Sequence, residues 1–199
     1  MLDKSLQHLG VVMIKGEPEK ISIKLPENYR VVTYHQGDEH CWADIEVSVG
    51  EFENKKDALS YFKKEFKDQK ALEERCLFIE NPKGEKIATT TAWMGTLDGR
   101  PASRIHWVAV KPAYQGLGLC KCLIQEALKI CKRFDEASIY LTTQTWSYKA
   151  INIYYQYGFV PYDDGKTGRF KGSQSDYEID FHKAWSMIDE KIEDYKKTR

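Results

Sequence analysis

The chain has 199 residues, 42% hydrophobic and 30% charged, enough to build a folded core without disulfide or metal staples. Its 30 lysines and arginines balance 30 aspartates and glutamates, so no net field draws it to nucleic acid or an acidic membrane surface. Five cysteines lack the spacing of a disulfide scaffold, and MLDKSLQHLG has no apolar leader, so a reduced cytoplasmic protein without a membrane partner is expected. Residues 9–15 read as a short edge strand, broken by Gly16 and Pro18. Residues 29–35 alternate like a strand. A helix then starts near Asp38, its expected cap, with Trp42, Ile45 and Val49 as its stripe. Asn54 is the expected cap of a second helix, in which Ala58, Tyr61, Phe62 and Phe66 share a face.

Residues 76–80 and 86–97 read as hairpin arms around the turn 81–84, and Asp98-Gly99 turns the chain into the next strand. That strand leads into the most informative stretch, residues 104–134. Ile105, Trp107 and the Val108-Ala109-Val110 run favour a buried strand, and Pro112, which has no N–H, ends it. Gly116 and Gly118 form a turn. Cys120, Leu123, Ile124, Ala127, Leu128 and Cys131 then fall on one helical face. Cysteines in that stripe read as small core residues, not metal ligands. Residues 138–143 read as a strand, 149–157 as a helix stopped by Gly158, and 160–162 as the start of a strand. Residues 163–174 read as a loop, 177–181 as a further strand, and 182–199 as a C-terminal helix. The expectation is one domain, 1–199, with an N-terminal extension over 1–25. Its sheet is mixed and mostly antiparallel, an α/β (α+β) architecture with helices on both faces.

A strand, a glycine turn and a helix make a ready anion site, because the first N–H groups of a helix lack partners and carry the positive end of its dipole. A purely structural turn is the competing reading. A dinucleotide fingerprint is disfavoured, since Gly116-x-Gly118-x-x ends in Lys121, and no phosphate loop of the G-x-x-x-x-G-K type is present.

The run Val110-x-Pro112-x-x-Gln115-Gly116-x-Gly118-x-Cys120 resembles the acyl-CoA signature of the GNAT superfamily of N-acetyltransferases, with Cys120 where Gly or Ala is usual. Ala150-Ile-Asn-Ile-Tyr154-Tyr-Gln-Tyr157-Gly158-Phe159 is similar to a second element of that family, with Ser147 where an Asn often stands. The resemblance implies a GNAT-like fold, acetyl-CoA as cosubstrate without a metal, and direct transfer to a primary amine of a small-molecule or peptide acceptor. It implies that Gln115, Gly116, Leu117, Gly118, Leu119, Cys120 and Lys121 hold the pyrophosphate. Val108, Ala109 and Val110 would meet the pantetheine arm, with the Val108 or Ala109 N–H as carbonyl donor, and Ser147 and Ile151 complete the cofactor contacts. It makes Tyr154 the acid that protonates the leaving thiolate, against a reading as a packed aromatic. Acceptor contacts are expected in 47–54 and 163–174. His106 and Glu46 are candidate bases, beside water; the competing readings are a hydrogen-bonded strand ring and a solvated helix carboxylate. Trp42, Trp93, Trp107, Trp146 and Tyr34 read as core rather than acceptor wall. A non-catalytic acyl-CoA-binding module is the alternative function, and a homodimer is among the partners considered.

Overall fold

The computed structural model describes residues 2–16, 23–134, 138–163 and 177–198. Its frame is a sheet of seven strands: β1 (Gly10–Lys15), β2 (Arg30–Thr33), β3 (Cys76–Glu80), β4 (Lys86–Leu97), β5 (Arg100–Val110), β6 (Ile139–Gln144) and β7 (Phe159–Pro161). Six helices accompany it: α1 (Glu39–Val49), α2 (Lys55–Glu65), α3 (Gln69–Arg75), α4 (Leu119–Arg133), α5 (Tyr148–Gln156) and α6 (Tyr177–Lys197). The strand order is β2-β3-β4-β5-β6-β1-β7, and every pairing is antiparallel except β5 with β6. The mostly antiparallel sheet with helices on both faces is the architecture expected from the sequence.

Two apolar layers sandwich this sheet. One is built on α4, α5 and α6, around Leu123, Ile124, Ile151, Trp185 and Ile188. The other is built on α1, α2 and α3, around Trp42, Ile45, Phe62 and Leu72. Local chemistry sets the helix limits. The Asn54 side chain accepts the Asp57 N–H and starts α2, as expected, and the Asp68 side chain accepts the Ala71 N–H and starts α3. Gly50, with φ of 87°, ends α1 by donating its N–H to the Glu46 and Val47 carbonyls.

Four expectations are corrected. β1 lies between β6 and β7 rather than at an edge, because Gly10 to Ile14 and Met13 to Lys15 each find a partner strand distant in sequence. Asp38 stands at the start of α1 but does not cap it; its carboxylate accepts the His35 N–H and pairs with Lys86 at 2.9 Å. Residues 177–181 are helical, since Phe181 continues the stripe of Trp185, Ile188 and Ile192. Cys122 and Ile130 are buried in α4, whereas Cys120 and Leu128 are only half-buried. Most of the expected loop 163–174 lies outside the described residues. No helix among the described residues is long and apolar enough to cross a membrane.

Candidate active site

The site begins where two central strands part. β5 and β6 pair only from Ser103–Ile139 to Ile105–Leu141. At their last tie, Arg104 Nη2 donates to Thr142 Oγ1 at 2.7 Å. Beyond it β5 carries a bulge: Thr89 faces Ala109 and Thr91 faces His106, so Trp107 and Val108 together oppose Thr90. Trp107 takes φ of 52°, a left-handed backbone that a bulky residue adopts only under constraint. Four rings hold it there: Trp42 at 5.3 Å, Phe52 at 5.3 Å, Tyr61 at 5.1 Å and His106 at 5.2 Å. The bulge bends β5 away and opens a wedge between the strands.

Hydrogen-bond alternation fixes what faces the wedge. Lys111 donates its N–H to Ile87, on the β4 side. One residue back, the Val110 N–H and C=O therefore point to the opposite edge. The side chain of Gln115 agrees with this direction, since its Nε2 reaches the Val110 carbonyl at 2.9 Å. Gln115 thus closes one end of the wedge. Ala109 lies opposite Thr89 of β4.

The glycine turn lies past a 3-10 turn over Pro112–Tyr114. Gly116 has φ of 85° and Gly118 of 79°, and a Cβ at either would meet nothing within 4 Å. Both glycines are thus required by backbone conformation and border open space, which leaves room for an anion against the main chain. No side chain caps α4, and the first intrahelical donors are Lys121 and Cys122, both to the Gly118 carbonyl. Among the described residues the Leu119 and Cys120 N–H groups have no acceptor, which leaves the positive helix end available. Leu119 itself is buried, so it can offer only its backbone. Although Cys120 keeps some exposed surface, desolvation around its sulfur raises the thiol to about 12, so it stays protonated. Tyr157 donates its hydroxyl to the Lys121 carbonyl at 2.8 Å, which fastens α5 to this helix end.

Tyr154 is buried in α5 and its ring packs on Phe159, 6.0 Å between centroids. Its hydroxyl makes no hydrogen bond among the described residues. Burial pushes its phenol well above the ordinary 10, and the nearby Cys120, Glu51 and Glu46 groups add to this. Tyr154 therefore lies within electrostatic reach of the first turn of α4 on one side and of two carboxyls on the other. Glu46 corrects the reading as a solvated carboxylate: it is 1% exposed, and its Oε1 has no hydrogen-bond partner among the described residues. Burial and then Glu51 raise its carboxyl well above the ordinary value. Glu51 follows the left-handed Gly50, and its N–H returns to the Glu46 carbonyl at 3.1 Å. Its side chain reaches solvent yet sits in a crowded recess, so burial raises it, against the opposing pull of the Gln144 side chain and the Lys4 ammonium.

Other expected residues fall elsewhere. His106 is the hydrogen-bonded strand ring: its Nε2 lies 3.1 Å from Glu65 Oε1, and burial lowers it to about 4, so it faces α2 as a neutral positioning group. Ile151 is fully buried in the core, and Ser147, at the start of α5, caps nothing. Trp42 and Trp93 are core; Trp107 is half-buried and belongs to the wall of the wedge. Trp146 is pinned by Nε1 to the Leu6 carbonyl at 2.7 Å. Among the described residues no three His, Cys, Asp or Glu side chains form a metal-binding group.

A family model described as "Acetyltransferase (GNAT) family" matches residues 31–159, which contain the wedge, the glycine turn and Tyr154. The chain belongs to the GNAT acetyltransferase family. Acyl transfer is the general chemistry of this GNAT fold, and the family uses acetyl-CoA. The GNAT chain is similar to a GCN5-related N-acetyltransferase from Sphaerobacter thermophilus, with a TM-score of 0.57 and 21% identity over 78% of this chain and 49% of that one. It is similar to a chain of the NatC complex solved with Gag peptide and CoA, with a TM-score of 0.54 and 19% identity over 68% and 86%. It is also similar to the ribosomal-protein-S18-alanine N-acetyltransferase from Escherichia coli, with a TM-score of 0.53 and 17% identity over 68% and 79%. At these identities the likeness is one of fold. The chain spans about half the length of the Sphaerobacter protein. No curated sequence matches it.

Proposed function

We propose that this chain transfers an acetyl group from acetyl-CoA to a primary amine by direct attack. The observation that carries the reading is the wedge between β5 and β6, open at Val108 and flanked by the bare end of α4 and by Tyr154. The residues present fit the cosubstrate. A pantetheine arm can pair with the free edge at Val108 as an added strand, and a pyrophosphate can rest on the N–H groups of residues 116–120. The open space around Gly116 and Gly118 gives that phosphate room. Bound acetyl-CoA supplies the acetyl group as a thioester.

The chain's own residues do the rest. The Val108 N–H is aimed at the wedge, where a carbonyl oxygen gains charge during transfer, and a preorganised donor there stabilises that charge. Tyr154 keeps its proton at Oη through the alkaline range, because burial and nearby acids disfavour the phenolate. With no internal acceptor for that O–H, the proton is free to be offered to a leaving group. The aromatic wall of Trp107, Phe52 and Tyr61 keeps water from the bulge side. The test is a thermal-shift series with acetyl-CoA, CoA and NAD, followed by thiol release over a panel of primary amines. Stabilisation by acetyl-CoA and CoA but not NAD, with amine-dependent thiol release, is expected. Stabilisation by NAD alone, or thiol release independent of amine, would reject it.

A further inference from the structure

Helix α2 does more than cover the sheet. Tyr61 and Glu65, one helical turn apart, both reach β5. The Tyr61 ring packs on Trp107 at 5.1 Å, and Glu65 Oε1 lies 3.1 Å from His106 Nε2. One helix face therefore grips two consecutive residues of β5 where the bulge begins. The Tyr61 hydroxyl donates to Glu65 Oε2 at 3.4 Å and steadies the grip. Burial keeps His106 neutral, at about 4, while the hydrogen bond from His106 holds Glu65 below the ordinary carboxyl value. An ionised carboxylate has no proton to give, so His106 Nε2 carries the hydrogen and donates it. The same Glu65 Oε1 lies 3.7 Å from Arg104 Nη1, and Arg104 Nη2 continues to Thr142 Oγ1 on β6 at 2.7 Å. His106 and Arg104 flank Ile105, whose pairing with Leu141 is the last between β5 and β6. One carboxylate thus links α2, β5 and β6 at the point where the strands part. The Glu65 and Arg104 side chains are 28% and 25% exposed, and an ion pair so open adds little to stability. What it supplies is geometry.

We propose that Glu65 is a positioning residue for the acyl transfer. It acts through His106 and Arg104, fixing how β5 leaves β6 and hence where a thioester lies in the wedge. Without the carboxylate, the His106 and Arg104 arms lose their common anchor, and the reacting carbon shifts relative to the attacking amine. A misplacement of about 1 Å costs about 10²-fold in rate. The glycine turn stands apart, past the 3-10 turn over Pro112–Tyr114, so its hold on a pyrophosphate does not depend on Glu65.

This inference rests on the proposed acetyl transfer, and the experiment separates the two. Thiol release is measured on the full chain at saturating acetyl-CoA and amine, beside acetyl-CoA titration and melting. Glu65→Ala is expected to lower kcat about 10- to 100-fold with acetyl-CoA affinity kept. Glu65→Gln retains the side-chain length and an oxygen for the His106 N–H, so it should keep most of the turnover. Thr142→Val cuts the β6 end of the same chain of contacts and should also lower kcat with affinity kept. Because both ends act through one chain, the double variant Glu65→Ala with Thr142→Val should lose less than the product of the two single losses. Unchanged kcat in Glu65→Ala overturns the role, as does a Glu65→Gln variant as slow as Glu65→Ala. Equal losses in kcat and acetyl-CoA affinity, or independent losses in the double variant, overturn it as well. Should Glu65→Ala fail to fold, Thr142→Val decides, and wild-type kcat there overturns the role. A wild type that releases no thiol with any amine overturns the parent reading instead.

Discussion

Replacing Tyr154 with phenylalanine removes one oxygen and nothing else. The ring keeps its contact with Phe159, and the lost hydroxyl had no partner among the described residues. Folding stability should therefore stay within about 0.5 kcal/mol, the usual range for a change that breaks no interaction. Turnover should behave differently. General acid catalysis contributes about 10²–10⁴-fold, which at about 1.36 kcal/mol per tenfold is about 2.7–5.5 kcal/mol of barrier. The two neighbouring tyrosines supply controls with distinct signatures. The Tyr157 hydroxyl donates to Lys121 at 2.8 Å, so Tyr157→Phe should lose about 0.5–1.5 kcal/mol of stability. The Tyr155 hydroxyl lies 3.2 Å from Asp189 on α6 in an exposed contact, so Tyr155→Phe should be mild in both respects. The assay is thiol release at saturating acetyl-CoA and amine, with melting followed in parallel. A large fall in kcat with unchanged melting is predicted. Unchanged kcat, or a fall matched by lost stability, would refute Tyr154 as the acid.

Gly118→Asp puts a charged side chain into the open space at the bare end of α4 and forces it into a left-handed backbone, so acetyl-CoA affinity should drop at least tenfold; calorimetric titration of the folded variant checks this. Trp107→Gly relieves about 1 kcal/mol of left-handed strain but loses four ring contacts worth about 3–5 kcal/mol, so denaturant unfolding should show a net loss of about 2–4 kcal/mol. Glu46→Gln should gain on the wild type as pH rises. The folded Glu46 carboxyl titrates well above its ordinary value near 4.5, so above that value the unfolded chain ionises first and wild-type stability falls. Glu51, Tyr154 and Cys76 are the titratable groups that couple to it. The melting difference between the Glu46→Gln variant and wild type should widen as pH rises above the ordinary carboxyl value near 4.5, and a constant difference would count against a buried, proton-holding Glu46.

Local chemistry explains which elements are readable. β3 and β4 match the expected 76–80 and 86–97 residue for residue, because the Asn81 to Gly84 turn and the flanking β-formers act over short range. Asn54 caps α2 because its side chain needs only the N–H three residues on. Long-range pairing is hidden, so β1 reads as an edge although it is flanked on both sides. The helix Gln69–Arg75 escapes a sequence reading because seven mostly polar residues hold too few turns to show a period. At the site, the glycine turn and Tyr154 stand out through fixed spacing. The bulge does not, since nothing about tryptophan announces a positive φ. Glu51 has one local signal, the Gly50 stop that folds the chain back on α1. Glu46 reads as solvated because helical position alone does not show which face the sheet covers.

Amide hydrogen exchange with and without acetyl-CoA tests the central claim most directly, because it reads the backbone groups that the account assigns to the cosubstrate. Added acetyl-CoA should slow exchange at Val108 and across residues 116–120, the groups that face the wedge and the bare helix end. It should leave Ala109, already turned to β4, unchanged. Protection elsewhere with none at Val108 and the glycine turn would contradict the account.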